Sequence, residues 1–196
     1  KEAEAQVQEG VDTTRKILHG KIGIPFLAIK RPSWDKFAGA EYTIGSDVLM
    51  PDGKLIQQPS THFMGQRFSK AFNAKFTTKE GKEEYLYTTA YGPAMSRILV
   101  SVISTHGDDK GLVLPFEIAP VQAVVIPIYT VKNKSKILKY AGEIMKKLEV
   151  NGVRTKLDSD DDSTPGWKFH EWELKGVPFR IEIGEKELKG KKFTLF

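Results

Sequence analysis

The sequence predicts two regions of different build: an α+β region over residues 1–118 holding part of an antiparallel sheet, and an α/β region over residues 119–196. Three observations predict it. Met50-Pro-Asp-Gly-Lys54 lies between two short alternating runs, and Pro51, Asp52 and Gly53 supply the dihedrals of a hairpin turn. Beyond Ala119-Pro120, apolar runs of strand length alternate with stretches of helix length, the pattern of a sheet covered by helices. A chain of 196 residues, 40% hydrophobic and 28% charged, is also long enough for one large or two small domains.

In chain order, Glu2 to Leu18 places Ala5, Val7, Val11 and Ile17 among charges at helical spacing, and Gly20 can end that helix. Ile22 to Lys30, Glu41 to Met50 and Leu55 to Gln58 read as strands, the last two forming the hairpin. Pro59-Ser60-Thr61 then reads as the start of a short helix over His62 to Phe72, with Ser60 or Thr61 as cap and Phe68 and Phe72 one turn apart. A strand over Glu84 to Ala90 precedes Gly92-Pro93 and a buried helix over Ser96 to Thr105, and Leu112 to Pro115 close the first region. The second region runs as strand Val121–Ile128, helix Ser135–Leu148, strand Val153–Leu157, helix Pro165–Leu174, strand Phe179–Ile183 and a last strand at Lys192–Phe196.

Composition narrows the chemistry. Without cysteine there is no disulfide, thiolate metal site or cysteine nucleophile, so a reducing, cytoplasmic setting is expected. The apolar run Val121 to Ile128 is far short of the roughly 20 residues of a membrane span, and residues 1–18 alternate charge where a signal peptide would be apolar. No membrane partner is expected. The net charge of +5 is uneven: after residue 120 there are fifteen Lys and Arg against eleven Asp and Glu. That excess suits a polyanion partner, although simple solubility accounts for it equally well. Neither His106-Gly-Asp-Asp109 nor the acidic run Asp158 to Asp162 has metal-ligand spacing; the first reads as a helix end and turn, the second as a solvated loop.

Three stretches carry a resemblance. Phe37-Ala-Gly-Ala-Glu-Tyr-Thr43 is followed by Met50-Pro-Asp-Gly-Lys-Leu-Ile-Gln-Gln-Pro-Ser-Thr-His-Phe-Met-Gly-Gln66. Tyr91-Gly92 leads through Arg97 to His106-Gly-Asp-Asp-Lys-Gly-Leu-Val-Leu-Pro115. The third runs from Pro165-Gly-Trp-Lys-Phe-His-Glu-Trp-Glu-Leu-Lys175 to Gly184. In that order they resemble, respectively, the proline-binding strand and loop, motif 3 and the anticodon-binding domain of the class II prolyl-tRNA synthetases of archaeal and eukaryotic type. The resemblance implies a partial class II catalytic domain with an antiparallel sheet over 1–118 and an anticodon-binding α/β domain over 119–196. It also implies proline activation by ATP with Mg2+, transfer to tRNA(Pro), and a homodimer in the full-length protein. No counterpart of motifs 1 and 2 precedes these stretches, so the chain is expected to be an internal fragment whose own activity is open. The rival reading is a non-catalytic tRNA-binding or assembly paralogue that keeps the scaffold.

The same resemblance assigns residues. Arg97 matches the motif 3 arginine that faces the ATP phosphates and is the catalytic candidate, and Gln57 matches an ATP or adenylate contact. Ser60, His62, Tyr91 and Gly92 match positions that shape the proline pocket. The chemistry is apt, because in-line attack of a carboxylate on the α-phosphate needs cations and positioned donors in place of a nucleophilic side chain. On the residues alone, Arg97 reads first as a surface arginine, and His62 first as a satisfied structural histidine. In the second region Trp167, Lys168, His170, Glu171, Trp172 and Lys175 mix aromatic and charged groups on one helix, a composition suited to unpaired bases. Lys168, Glu171, Lys175 and Arg180 are the candidate tRNA contacts, with Trp172 read as core.

Overall fold

The computed structural model describes all of residues 1–196. The chain divides into two compact units, Lys1–Thr105 and His106–Phe196, each built on its own sheet. The first unit opens with α1 (Glu2–Thr14), continued by a π-helical turn over Arg15–His19. Val7, Gly10, Val11 and Thr14 repeat at three- and four-residue spacing and form the buried stripe of α1. Four antiparallel strands follow in the order β1-β2-β3-β6: β1 (Leu27–Lys30), β2 (Tyr42–Leu49), β3 (Leu55–Gly65) and β6 (Thr88–Gly92). The β2–β3 hairpin closes where Met50 N–H donates to Lys54 O at 2.8 Å. A separate two-stranded ribbon, β4 (Lys75–Thr77) with β5 (Glu83–Tyr85), lies between α2 (Arg67–Ala71) and β6.

The helix expected over His62–Phe72 is strand in its first four residues. β3 continues to Gly65, because it pairs on both sides, with β2 through Tyr42↔Phe63 and with β6 through His62↔Ala90. The stacked rings of Tyr42 and Phe63, 5.2 Å between centroids, reward that pairing. Ser60 and Thr61 are therefore ladder residues and not helix caps. Only the five residues of α2 remain helical, with Phe68 and Phe72 stacked as their spacing predicts. The run Glu84–Ala90 is likewise split, its first part in the ribbon and its last part in the main sheet.

Helix α3 (Met95–His106) closes the first unit, reaching one residue beyond it. It was expected to be buried, yet Met95, Leu99 and Ile103 are exposed, and Ser101 and Val102 are its buried positions. Its anchor is polar: Gln58 Nε2 donates to Ser101 Oγ at 2.7 Å.

The second unit holds a four-stranded sheet in the order β10-β9-β7-β8, from β7 (Ala123–Pro127), β8 (Thr155–Leu157), β9 (Phe179–Ile183) and β10 (Thr194–Leu195). The central strand β7 is parallel to both neighbours and buried on both faces, which explains its unbroken apolar run. On one face Ala123, Val125, Ile181 and Ile183 pack on Ile137, Ala141 and Ile144 of α4 (Lys134–Val150). Each fully buried isoleucine there contributes roughly 1.5–3 kcal/mol. On the other face Val124 and Ile126 pack on Trp172 of α5 (Pro165–Leu174). Helix α5 begins where expected because Thr164 Oγ1 accepts from Trp167 N–H and Pro165 fits the first turn. A short helix, α6 (Glu185–Gly190), was not anticipated; the Glu187 carboxylate accepts from Gly184 N–H and starts it. Residues 106–118 belong to this unit: Leu112 N–H donates to Leu174 O, and Arg154 donates to the carbonyls of Glu117 and Ala119.

Candidate functional site

The site in the first unit follows from strand register. Thr43 faces His62, Gly45 faces Ser60 and Asp47 faces Gln57. Alternate residues of β2 share one face, and directly opposed residues share a face, so His62, Ser60 and Gln57 all point to the same side. Gln57 and Ser60 are three residues apart and alternation alone would separate them. The β-bulge between the Gly45 and Asp47 pairings inserts one extra residue in β3 and turns Gln57 onto the Ser60 side.

On that side His62 is held at both ring nitrogens. Its Nδ1 is 2.9 Å from Thr43 Oγ1 and its Nε2 is 2.9 Å from Ser60 Oγ, with the Phe37 ring 4.8 Å away. Burial pushes the His62 pKa below its usual value, so the ring is neutral at pH 7. Arg31 crosses Gly45 and pairs with the buried Asp47. A Cβ on Gly45 would lie 2.5 Å from Arg31 Nε, so glycine is what lets the guanidinium approach. Arg97, exposed on the first turn of α3, donates from Nη1 to the Gln57 carbonyl at 3.3 Å, leaving most of its five-donor fork uncommitted.

Tyr91 lies elsewhere. It opposes Thr61, so its side chain is on the other face of the sheet, the one packed on α1. A Cβ on Gly10 of α1 would lie 2.9 Å from Thr61 Oγ1 and 3.3 Å from Tyr91 Cδ2, and the Tyr91 hydroxyl is 3.2 Å from Thr14 Oγ1. Tyr91 is therefore not beside Ser60 and His62, whereas Gly92 opposes Ser60 directly and borders open space. Thr43, Arg31 and Asp47 were not singled out from sequence. Their one local trace is the period-two spacing Thr43-x-Gly45-x-Asp47, which acquires meaning only once β2 is paired.

In the second unit the four candidate RNA contacts separate. Lys168, expected on the surface, is only 3% exposed: its ammonium pairs with Asp158 at 3.1 Å and donates to the carbonyls of Asp158 and Asp160. A helix residue one turn before Trp172 points inward with it, so Lys168 lies on the buried side of α5 and not on its surface. The acidic run is accordingly bound down. Burial pushes the Asp158 carboxyl up, but the Trp172 indole N–H at 2.7 Å and Lys168 outweigh it and hold the pKa below normal. Asp161 accepts from Tyr129, whose phenol is pushed up to about 12 by that hydrogen bond, and pairs with Lys134. Lys175 is exposed, pairs with Glu171 at 2.7 Å and lies over the Trp172 ring. The half-buried Arg180 stacks between Phe169 and Phe196 while donating to Glu182. No group of three or more His, Asp or Glu is gathered to hold a metal ion, and no helix is long and apolar enough to cross a membrane.

A sheet flanked by α4 and α5 with parallel strands β8, β7 and β9 defines the second unit's class: residues 122–196 match the anticodon binding domain family. Over the whole chain, identity is 47% to a proline-tRNA ligase of Thermofilum pendens, covering 100% of this chain and 41% of that protein. It is 48% to that of Methanopyrus kandleri, over 96% of this chain and 38% of that protein. A solved Giardia lamblia prolyl-tRNA synthetase in complex with prolyl-adenylate superposes with a TM-score of 0.91 at 34% identity, covering 99% of this chain and 39% of that one. The chain is similar to prolyl-tRNA synthetases over its whole length and spans about two-fifths of the length of the curated relatives it matches.

Proposed function

We propose that this chain carries part of the active site and most of the anticodon-binding domain of a proline-tRNA ligase, which activates proline with ATP and transfers it to tRNA(Pro). The observation that carries the reading is the assembly of Gln57, Ser60 and His62 on one sheet face with Arg97 bonded to the Gln57 carbonyl, in a chain 45–48% identical to proline-tRNA ligases in its first three matches. Arg97 presents its free donors to the ATP phosphates, where a planar fork stabilises charge as pyrophosphate leaves. Gln57 supplies an amide to the nucleotide or adenylate. Ser60, His62 and Gly92 shape the proline pocket, Gly92 by leaving space open beside Ser60.

Mg2+ bound with ATP would help neutralise the phosphate charge that the free donors of Arg97 also meet. In the second unit Lys175 and Arg180 meet tRNA, with Glu171 as an acceptor for a base edge; their aromatic neighbours suit stacking. The functional boundary of that anticodon-binding part is drawn at 118/119. A homodimer, which the family resemblance implies, and a cytoplasmic setting complete the reading.

Proline-dependent ATP–pyrophosphate exchange tests it, run on this polypeptide and on a form extended by the upstream region. Exchange in the extended form, lowered about 100-fold by Arg97→Ala, is expected. Extended protein without exchange would favour a non-catalytic tRNA-binding paralogue.

A further inference from the structure

The hydrogen-bond partners of Thr43 fix the direction of every hydrogen bond that reaches Ser60. Phe37 N–H can only donate, and it donates to Thr43 Oγ1 at 2.9 Å. Thr43 is 1% exposed, so its own hydroxyl hydrogen must find an acceptor inside the protein. The acceptor within reach is His62 Nδ1 at 2.9 Å. The His62 ring is neutral and carries one hydrogen. Were that hydrogen on Nδ1, the buried Thr43 hydroxyl would be left without an acceptor, a desolvation cost with no compensation. With the hydrogen on Nε2 the buried Thr43 hydroxyl and both ring nitrogens are satisfied: Thr43 donates to Nδ1, and Nε2 donates to Ser60 Oγ at 2.9 Å. Ser60 has then accepted, and its own hydroxyl hydrogen has no acceptor in the chain. It opposes Gly92, where even an added Cβ would meet nothing within 4 Å.

We propose that Phe37, Thr43, His62 and Ser60 form a one-directional relay that makes Thr43 a positioning residue, fixes His62 as the Nε2–H tautomer, and turns Ser60 into a hydrogen-bond donor aimed at an acceptor oxygen of the ligand. That oxygen belongs to a carboxylate or a phosphoryl group, the two oxygen-rich groups that meet in amino-acid activation. This last step rests on the proposed function; the tautomer does not. The relay assigns work to Thr43 that no local sequence feature announces, since it lies nineteen positions from His62.

Two measurements test the proposal separately. The first is the imidazole 15N spectrum of this chain at pH 7.5 with labelled histidine, His62 being assigned among the four histidines by loss of its signals in His62→Gln. The expected result is a protonated Nε2 and an unprotonated Nδ1, retained in Thr43→Ser and lost to a mixture in Thr43→Val. A wild-type ring protonated at Nδ1, or at both nitrogens, would overturn the relay even if Thr43→Val failed to fold. The second is proline-dependent exchange in the extended protein. Ser60→Ala and Thr43→Val should each lower kcat/KM by about tenfold, the loss of one hydrogen bond. Thr43→Val should add little in the Ser60→Ala background, whereas additive losses would contradict the relay. A rise confined to the KM for proline puts the acceptor on the amino-acid carboxylate, and one confined to the KM for ATP puts it on a phosphate. Absence of exchange in the wild-type extended protein would sink the proposed function, while the tautomer would still decide the relay.

Discussion

The site face of β3 and the helix α5 both carry polar side chains and use them in opposite ways. On β3, neutral polar groups are brought together by pairing with strands distant in sequence, and they keep donors and open space for a ligand. On α5, charged groups adjacent in sequence are consumed by their own fold: Lys168 and Trp172 turn inward to bind Asp158, and Lys175 pairs with Glu171. The difference teaches that a mixture of basic and aromatic residues on one helix does not by itself make a nucleic-acid surface. The phase of each residue on the helix decides which cations face solvent.

The comparison breaks most visibly at Lys168. If its ammonium is structural, Lys168→Met leaves the half-buried Asp158 without its cation and destabilises the second unit by about 3 kcal/mol in urea unfolding. Lys175→Met, which loses an exposed pair, costs under about 1 kcal/mol. Equal costs would return Lys168 to the surface. The same pair has a pH signature. The folded Asp158 pKa lies below its unfolded value, so this stability is present above the unfolded value, near 3.8, and is lost as pH falls through the folded pKa. A smaller effect is expected at Gly45→Ala in the first unit. The new Cβ collides with Arg31 and displaces it from the buried Asp47, which costs about 1–3 kcal/mol. A neutral result would mean that Arg31 swings away freely and takes no part in holding the β2–β3 face.

Much of the second unit was legible in the sequence because its signals are local. The continuous apolar run of β7, the Ile137, Ala141, Ile144 stripe of α4 and the Thr164-Pro165 start of α5 each declare themselves within a few residues. β3 was less legible past Pro59, because Ser60 and Thr61 favour helix caps and ladder positions alike, and only pairing with β2 and β6 decides between them. The candidate site shows the same division. Gln57, Ser60, His62 and Arg97 were picked out through the resemblance, and the fold brings them to one region. The resemblance groups Tyr91 with them, as the aromatic of an aromatic-Gly pair, but one residue along a strand reverses the face and Tyr91 lies on the opposite side from Ser60. Thr43 escaped notice because its role exists only across the β2–β3 pairing.

The central claim is that the sheet face turned away from α1 is the site. Exchange kinetics on the extended protein carrying Gln57→Ala, His62→Ala or Tyr91→Phe test it most directly. The account predicts at least about a tenfold loss of kcat/KM for the first two, one removing the Gln57 amide and the other the ring that orients Ser60, and a change within about twofold for Tyr91→Phe, whose hydroxyl meets Thr14 on the opposite face. A loss at Tyr91 as large as that at His62, with Gln57→Ala unaffected, would place the chemistry on the α1 face and contradict the account.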